Sequence, residues 1–244
     1  MDRLEKSIII TGATSGIGRE LAAQCIEKGY RVGGTGRRVE NLREMKEQFG
    51  DRFYYRQMDV TRFDEARNRL IELAEEMDGV DIIVLNAGII RFQSATAVES
   101  DQKVIDVNVS GFVQLANAAL DYFVSRGRGQ IVGISSIAAL LGYGKSSAYN
   151  ASKAFISNYM QGLRQKVRRT DADITITDVK PGFVESAMTA GREKDIFWVA
   201  PADVATRQIL RSIEKRKNYA YITRRWRLIA WVVYLVPNWI LDRL

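Results

Sequence analysis

Tyr149 and Lys153 stand four residues apart in Tyr149-Asn150-Ala151-Ser152-Lys153. That spacing puts two side chains on one face of a helix. An ammonium beside a phenol favours the phenolate, so the pair can give and take a proton, with the Tyr149 pKa expected below its usual value of about 10. Taken alone, the same spacing describes many ordinary surface pairs. Two absences narrow the chemistry. The chain has no His and a single Cys, Cys25. This excludes Ser-His-Asp and Cys-His nucleophiles and a Cys/His zinc site, and no metal site is expected. Cys25 falls in an apolar helical run and reads as core.

A second constellation lies near the start. Thr11-Gly12-Ala13-Thr14-Ser15-Gly16-Ile17-Gly18 follows an apolar run and opens a helical one. Gly12, Gly16 and Gly18 permit a tight turn and let the backbone approach a pyrophosphate. Thr14, Ser15 and Ile17 then offer groups at a helix start, where free N–H groups hold an anion.

The elements that must position these groups are legible as periodicities. Short apolar runs occur at 7–11, 31–35, 53–57, 81–85, 130–135, 173–180 and 219–222. Helical patterns fill 17–29, 39–48, 62–77, 102–125, 147–169 and 202–216. Strand-then-helix alternation predicts an α/β, doubly wound Rossmann-type fold, with a mostly parallel seven-stranded sheet and helices on both faces. A chain of 244 residues suits one such domain, expected over 1–223, with a basic and apolar tail over 224–244. A lone Cys fits a reducing compartment, and the apolar run after Lys6 is too short for a signal-peptide core. A cytoplasmic protein is therefore expected, with membrane association through the tail as an addition.

The Gly-x-x-x-Gly-x-Gly turn and Tyr-x-x-x-Lys pair together resemble the short-chain dehydrogenase/reductase family in its compact form, over about residues 7–222. The resemblance implies an oxidoreductase with a tetrad of Asn108, Ser136, Tyr149 and Lys153. Ser136 lies thirteen residues before Tyr149, the family's spacing, and Ser135 is the neighbouring alternative. In carbonyl reduction negative charge builds on the carbonyl oxygen. The Ser136 hydroxyl would donate to it, Tyr149 would deliver the proton, Lys153 would hold the nicotinamide ribose and tune Tyr149, and Asn108 would orient a water. The same resemblance puts Asp59 at the adenine amino group and Val60 beside the ring. It puts Asn86, Ala87 and Gly88 against the cofactor, and Pro181, Gly182, Val184 and Ser186 around the nicotinamide. Asp59 reads equally as a cap for the helix that follows. Ala187 to Val199 reads as a substrate lid or as ordinary packing. A catalytically silent NADP(H)-binding sensor or interaction protein is the alternative function.

The expected cofactor is NADP(H). An NAD site usually presents an acid about 20 residues past the glycine turn, and none occurs from Val32 to Arg38. Arg37 and Arg38 stand there instead, and a guanidinium pairs with a 2′-phosphate through two hydrogen bonds. Arg37 is expected as the main contact, with Arg38 as helper or surface charge.

The net charge of +7 is concentrated at one end. Residues 211–244 hold Arg211, Lys215, Arg216, Lys217, Arg224, Arg225, Arg227 and Arg243 against Glu214 and Asp242. The nearly neutral body argues against a nucleic-acid partner. Leu228 to Val236 is too short to span a bilayer and is apolar almost all round, so something should cover it. A subunit interface in a homodimer or homotetramer, the substrate pocket, and an anionic membrane surface are the three candidates.

Overall fold

The structure, a computed structural model, describes residues 5–92, 98–185, 189, 198–223 and 225–241. Seven strands form one sheet: β1 (Ser7–Thr11), β2 (Arg31–Gly36), β3 (Phe53–Gln57), β4 (Ile82–Leu85), β5 (Arg128–Ile134), β6 (Asp173–Pro181) and β7 (Tyr219–Ile222). Their order is β3-β2-β1-β4-β5-β6-β7, and each neighbouring pair is parallel. Parallel strands are covered on both faces, which is why they read as unbroken apolar runs rather than as alternation. In β1, Ile8 and Ile10 join the core on one face, while Ile9 joins the core on the other.

The first face is covered by α1 (Gly16–Glu27), α2 (Val39–Phe49) and α7 (Ala202–Glu214) through Leu21, Leu42 and Ile209. Cys25 is buried there, and burial, aided by the Glu214 charge, pushes its thiol pKa up to about 12. The second face is covered by α3 (Phe63–Glu76), α5 (Phe112–Arg126) and α6 (Ser147–Val167), through Leu70, Phe123 and Met160. Each expected run and helix has its counterpart within a few residues, with one exception. The pattern at 102–125 is not a single α-helix. It divides into α4 (Val98–Ile105), a π-turn over Asp106–Gly111, and α5.

The last described elements are α8 (Trp226–Leu235) and α9 (Asn238–Leu241). Helix α8 packs on β7 and on a short 3-10 turn over Ile137–Leu140, and Trp226 and Ala230 are buried against the body.

Candidate active site

The sheet order reverses between β1 and β4, and open α/β sheets bind ligands at such a switch, beyond the carboxyl ends of the strands. The glycine turn lies there. Asn86, just past β4, ties it down: its amide Nδ2 donates to the carbonyls of Thr11 (3.0 Å) and Gly12 (3.2 Å). The Thr11 hydroxyl in turn accepts from the N–H groups of Asn86 and Ala87. Gly12 takes a φ of +70° and Gly16 a φ of +53°. At Gly18 a Cβ would lie 2.3 Å from the Gly12 carbonyl oxygen, so the turn closes only on glycine. Helix α1 then begins with no side-chain cap and no acid in its first turn. Its first N–H groups are thus left for an anion, and the cradle fits a dinucleotide pyrophosphate.

On the other side of the turn, the Arg38 guanidinium donates to the hydroxyls of Thr14 (2.9 Å) and Ser15 (2.7 Å). Arg37 and Arg38 are both exposed at the end of β2. Of the two, Arg38 reaches the turn, whereas Arg37 lies where its charge acts on Asp59. Asp59 accepts from the Thr61 N–H (3.0 Å) and hydroxyl (2.8 Å). Burial alone would raise its pKa, but those bonds and the Arg37 and Arg62 charges outweigh it and hold the carboxyl below its usual range. The bonds to Thr61 make a local turn, and the helix itself starts at Phe63. Asp59 and Val60 also line the cleft.

Three of the four tetrad residues converge where β5 ends and α6 begins. The Ser136 hydroxyl lies close enough to the Tyr149 phenol to favour its ionised form, and it points toward the Pro181 carbonyl at 3.5 Å. Ser136 caps the 3-10 turn by accepting from the Ala138 N–H at 3.0 Å. The Lys153 Nζ donates to the Ile134 carbonyl (2.9 Å) and lies 5.6 Å from the centre of the Tyr149 ring. Asn108 enters from the π-turn. Its Oδ1 accepts from the Ile89 N–H (2.8 Å), and its Nδ2 donates to the Ile89 carbonyl (2.9 Å) and the Ser152 hydroxyl (3.0 Å). Ser152 passes the link on to the Tyr149 carbonyl at 2.7 Å. Gly88 closes the gap: a Cβ there would lie 3.3 Å from the Asn108 Oδ1 and 3.5 Å from the Lys153 Nζ.

The profile of the family described as short chain dehydrogenase matches residues 6–196. The chain belongs to the short-chain dehydrogenase family. An uncharacterized oxidoreductase of Myxococcus xanthus is 37% identical over 190 residues, covering 76% of this chain and 74% of that protein. The NADP-dependent 3-hydroxy acid dehydrogenase of Escherichia coli K12 is 35% identical over 180 residues, covering 72% of each. The solved closed form of a serine dehydrogenase complexed with NADP+ superposes with a TM-score of 0.78 at 27% identity, over 88% of this chain and 94% of that one.

For a short-chain dehydrogenase, the electrostatics at Tyr149 differ from the expectation. Withdrawal of the phenol from water raises its pKa, and the nearby Ser136 hydroxyl offsets only part of this. Burial also lowers Lys153 to about 8, against the opposing charge of Asp178. Both groups are thus pushed toward neutrality, because desolvation outweighs the attraction that their spacing suggests. The two serines also part company. The Ser135 hydroxyl turns into the sheet and donates to Asp178 Oδ1 and the Val179 carbonyl, leaving Ser136 at Tyr149.

Around the far end of the cleft, Pro181, Gly182 and Val184 line the wall where the sheet ends. The Val184 carbonyl accepts from the Thr189 hydroxyl at 2.9 Å. Ser186 and most of the expected lid, including Met188, Ile196 and Phe197, lie outside the described residues.

Several contributors were not singled out in the sequence. Asp178 is buried in β6, where Lys180, Ser135 and Ser157 all donate to its carboxylate. A polar pair two apart in a strand gives no local sign of being buried. Asn150 holds the 138–146 segment through bonds to the Ala138 and Leu141 carbonyls and the Ser146 hydroxyl. Trp226, Ile229 and Val233 bring the tail into the cleft wall.

Proposed function

We propose that this chain is an NADP(H)-dependent oxidoreductase acting on a ketone or aldehyde, or on the corresponding secondary alcohol, with Tyr149 as general acid in reduction and general base in oxidation. The observation that carries the proposal is the convergence of Ser136, Tyr149 and Lys153 on the cleft at the carboxyl edge of the sheet, with the Lys153 Nζ 5.6 Å from the centre of the Tyr149 ring. Two donors on one small volume suit a carbonyl oxygen that gains charge as its carbon is reduced. The raised Tyr149 pKa keeps the phenol protonated at neutral pH, as an acid must be.

Reduced nicotinamide, when bound, supplies the hydride. The backbone of the glycine turn and the uncapped start of α1 would hold the pyrophosphate, with Asp59 and Val60 at the adenine. Arg37 and Arg38 would pair with the 2′-phosphate. The Lys153 ammonium, which spends one donor on Ile134, has others to offer a ribose hydroxyl. Asn108 would orient a water behind Lys153 to refill the Tyr149 proton. The NADP in the descriptions of the Escherichia coli relative and the serine dehydrogenase complex supports this cofactor. Leu140, Leu141, Ile229 and Val233 in the cleft wall favour an apolar carbonyl compound.

The experiment is to follow loss of NADPH absorbance with a panel of ketones and aldehydes, NADH serving as comparison. Tyr149→Phe is expected to abolish turnover while NADPH still binds by fluorescence. Substantial turnover by that variant removes Tyr149 from the acid role. Binding of NADPH without oxidation against any carbonyl favours the silent sensor instead.

A further inference from the structure

Helix α8 carries two apolar stripes with different fates. Trp226 and Ala230 are buried against the body, and Ile229 and Val233 face the cleft. On the outside, Leu228, Trp231, Val232 and Leu235 recur at i, i+3, i+4 and i+7. They are 71%, 65%, 59% and 83% exposed. Trp239 and Ile240 of α9 are exposed as well. A helix in a water-facing position normally presents polar residues on that side, and contiguous apolar surface of this kind marks an interaction site.

The charges decide between occupants. Arg225 and Arg227 are exposed at the start of the same helix, and Arg224 precedes them. From Lys215 through Leu241 the sequence has no acid. A second copy of this chain, meeting the first about a two-fold axis, would set this basic, acid-free segment against itself. An anionic lipid surface answers both features: aliphatic and indole side chains enter the boundary between headgroups and acyl chains, while arginines meet phosphates. The ten residues of α8 span roughly 15 Å, about half the hydrocarbon core. No helix among the described residues is long and apolar enough to cross a membrane.

We propose that α8 and α9 dock in the plane of an anionic phospholipid bilayer, outer stripe downward. The inner stripe would then hold one wall of the cleft at the lipid surface.

The test is flotation of the full chain with vesicles of phosphatidylcholine alone or mixed with phosphatidylglycerol, at low and moderate salt. Recovery is expected with the mixed vesicles only, and to weaken with salt. Arg227→Gln should lower partitioning about fivefold. Trp231→Ser combined with Leu235→Ser should lower it about tenfold or more, both proteins keeping the wild-type melting temperature. If the double variant does not fold, Arg227→Gln and the lipid comparison decide. Equal recovery on both vesicle types, or undiminished binding by the variants, overturns the proposal. So does absence of flotation, and a particle mass that also halves in the double variant would assign the face to a second copy.

Discussion

Gly182→Ala is expected to expel the Trp226 indole, and the energetic signature should be coupling rather than simple loss. A Cβ at Gly182 would sit 1.9 Å from the Trp226 Nε1 and 2.4 Å from its Cδ1, far inside the contact distance of about 3.5 Å. The indole has little room to yield. It is 3% exposed and meets the rings of Phe183 and Trp198 edge-on, each at 5.6 Å between centroids. Trp226→Ala should cost about 3–5 kcal/mol, the usual range for a buried tryptophan. Gly182→Ala displaces the same ring and should approach about 3 kcal/mol. In the double variant nothing remains to clash, so its cost should match that of Trp226→Ala alone. The two single costs should then exceed the double cost by about 3 kcal/mol, against a few tenths for independent sites. Urea unfolding of the four proteins measures this directly. At about 2–4 °C per kcal/mol for a domain of this size, Gly182→Ala should also melt roughly 6–12 °C lower and Trp226→Ala roughly 6–20 °C lower. Additive costs, or a Gly182→Ala protein as stable as wild type, would refute the reasoning.

Three further outcomes are expected. Because Lys153 has its pKa lowered to about 8 in the folded chain, its own contribution to stability should rise with pH between about pH 8 and 10.4 by up to about 3 kcal/mol, while the Cys25 thiol, pushed up to about 12, acts in the opposite direction above about pH 8.5. Unfolding of wild type and Lys153→Met compared from pH 7 to pH 10 checks this, since the variant should lack that rise. Arg37→Asp should turn the ratio of kcat/KM for NADPH over NADH toward NADH, because a carboxylate repels a 2′-phosphate; an unchanged ratio would dismiss the arginine pair. Asp178→Asn should cost about 3–5 kcal/mol in thermal or urea unfolding, because it strands the buried Lys180 ammonium that now pairs with Asp178.

The strands were legible because burial on both faces leaves little room for polar residues: Ile8-Ile9-Ile10 feeds two cores at once. The glycine turn was legible because its glycines answer to backbone geometry, which sequence records directly. What escaped depends on groups brought together from distant positions. Tyr149 and Lys153 look like an ion pair when read along one helix, yet the elements that desolvate both come from elsewhere in the chain. Spacing alone prefers Ser136 over Ser135, but it cannot show that Ser135 turns into the sheet to meet Asp178, while Ser136 lines the cleft beside Tyr149. The tail looked uniformly apolar, and only its docking on the 137–140 turn divides it into an inner and an outer stripe.

The π-turn at Asp106–Gly111 makes residue number, rather than residue identity, the controlled quantity in this part of the chain. Helix α4 is anchored by Val104 and α5 by Leu115, Ala119 and Phe123. The wide turn between them absorbs a phase difference, so that both helices keep their anchors while Asn108 still points at Ile89 and Ser152. Removing one residue there would rotate everything on one side by about 100°. Either the anchors of α5 or the amide of Asn108 would then lose register. Length changes in this six-residue segment are therefore constrained more tightly than substitutions at its outward positions, a kind of frame-keeping between two consecutive helices.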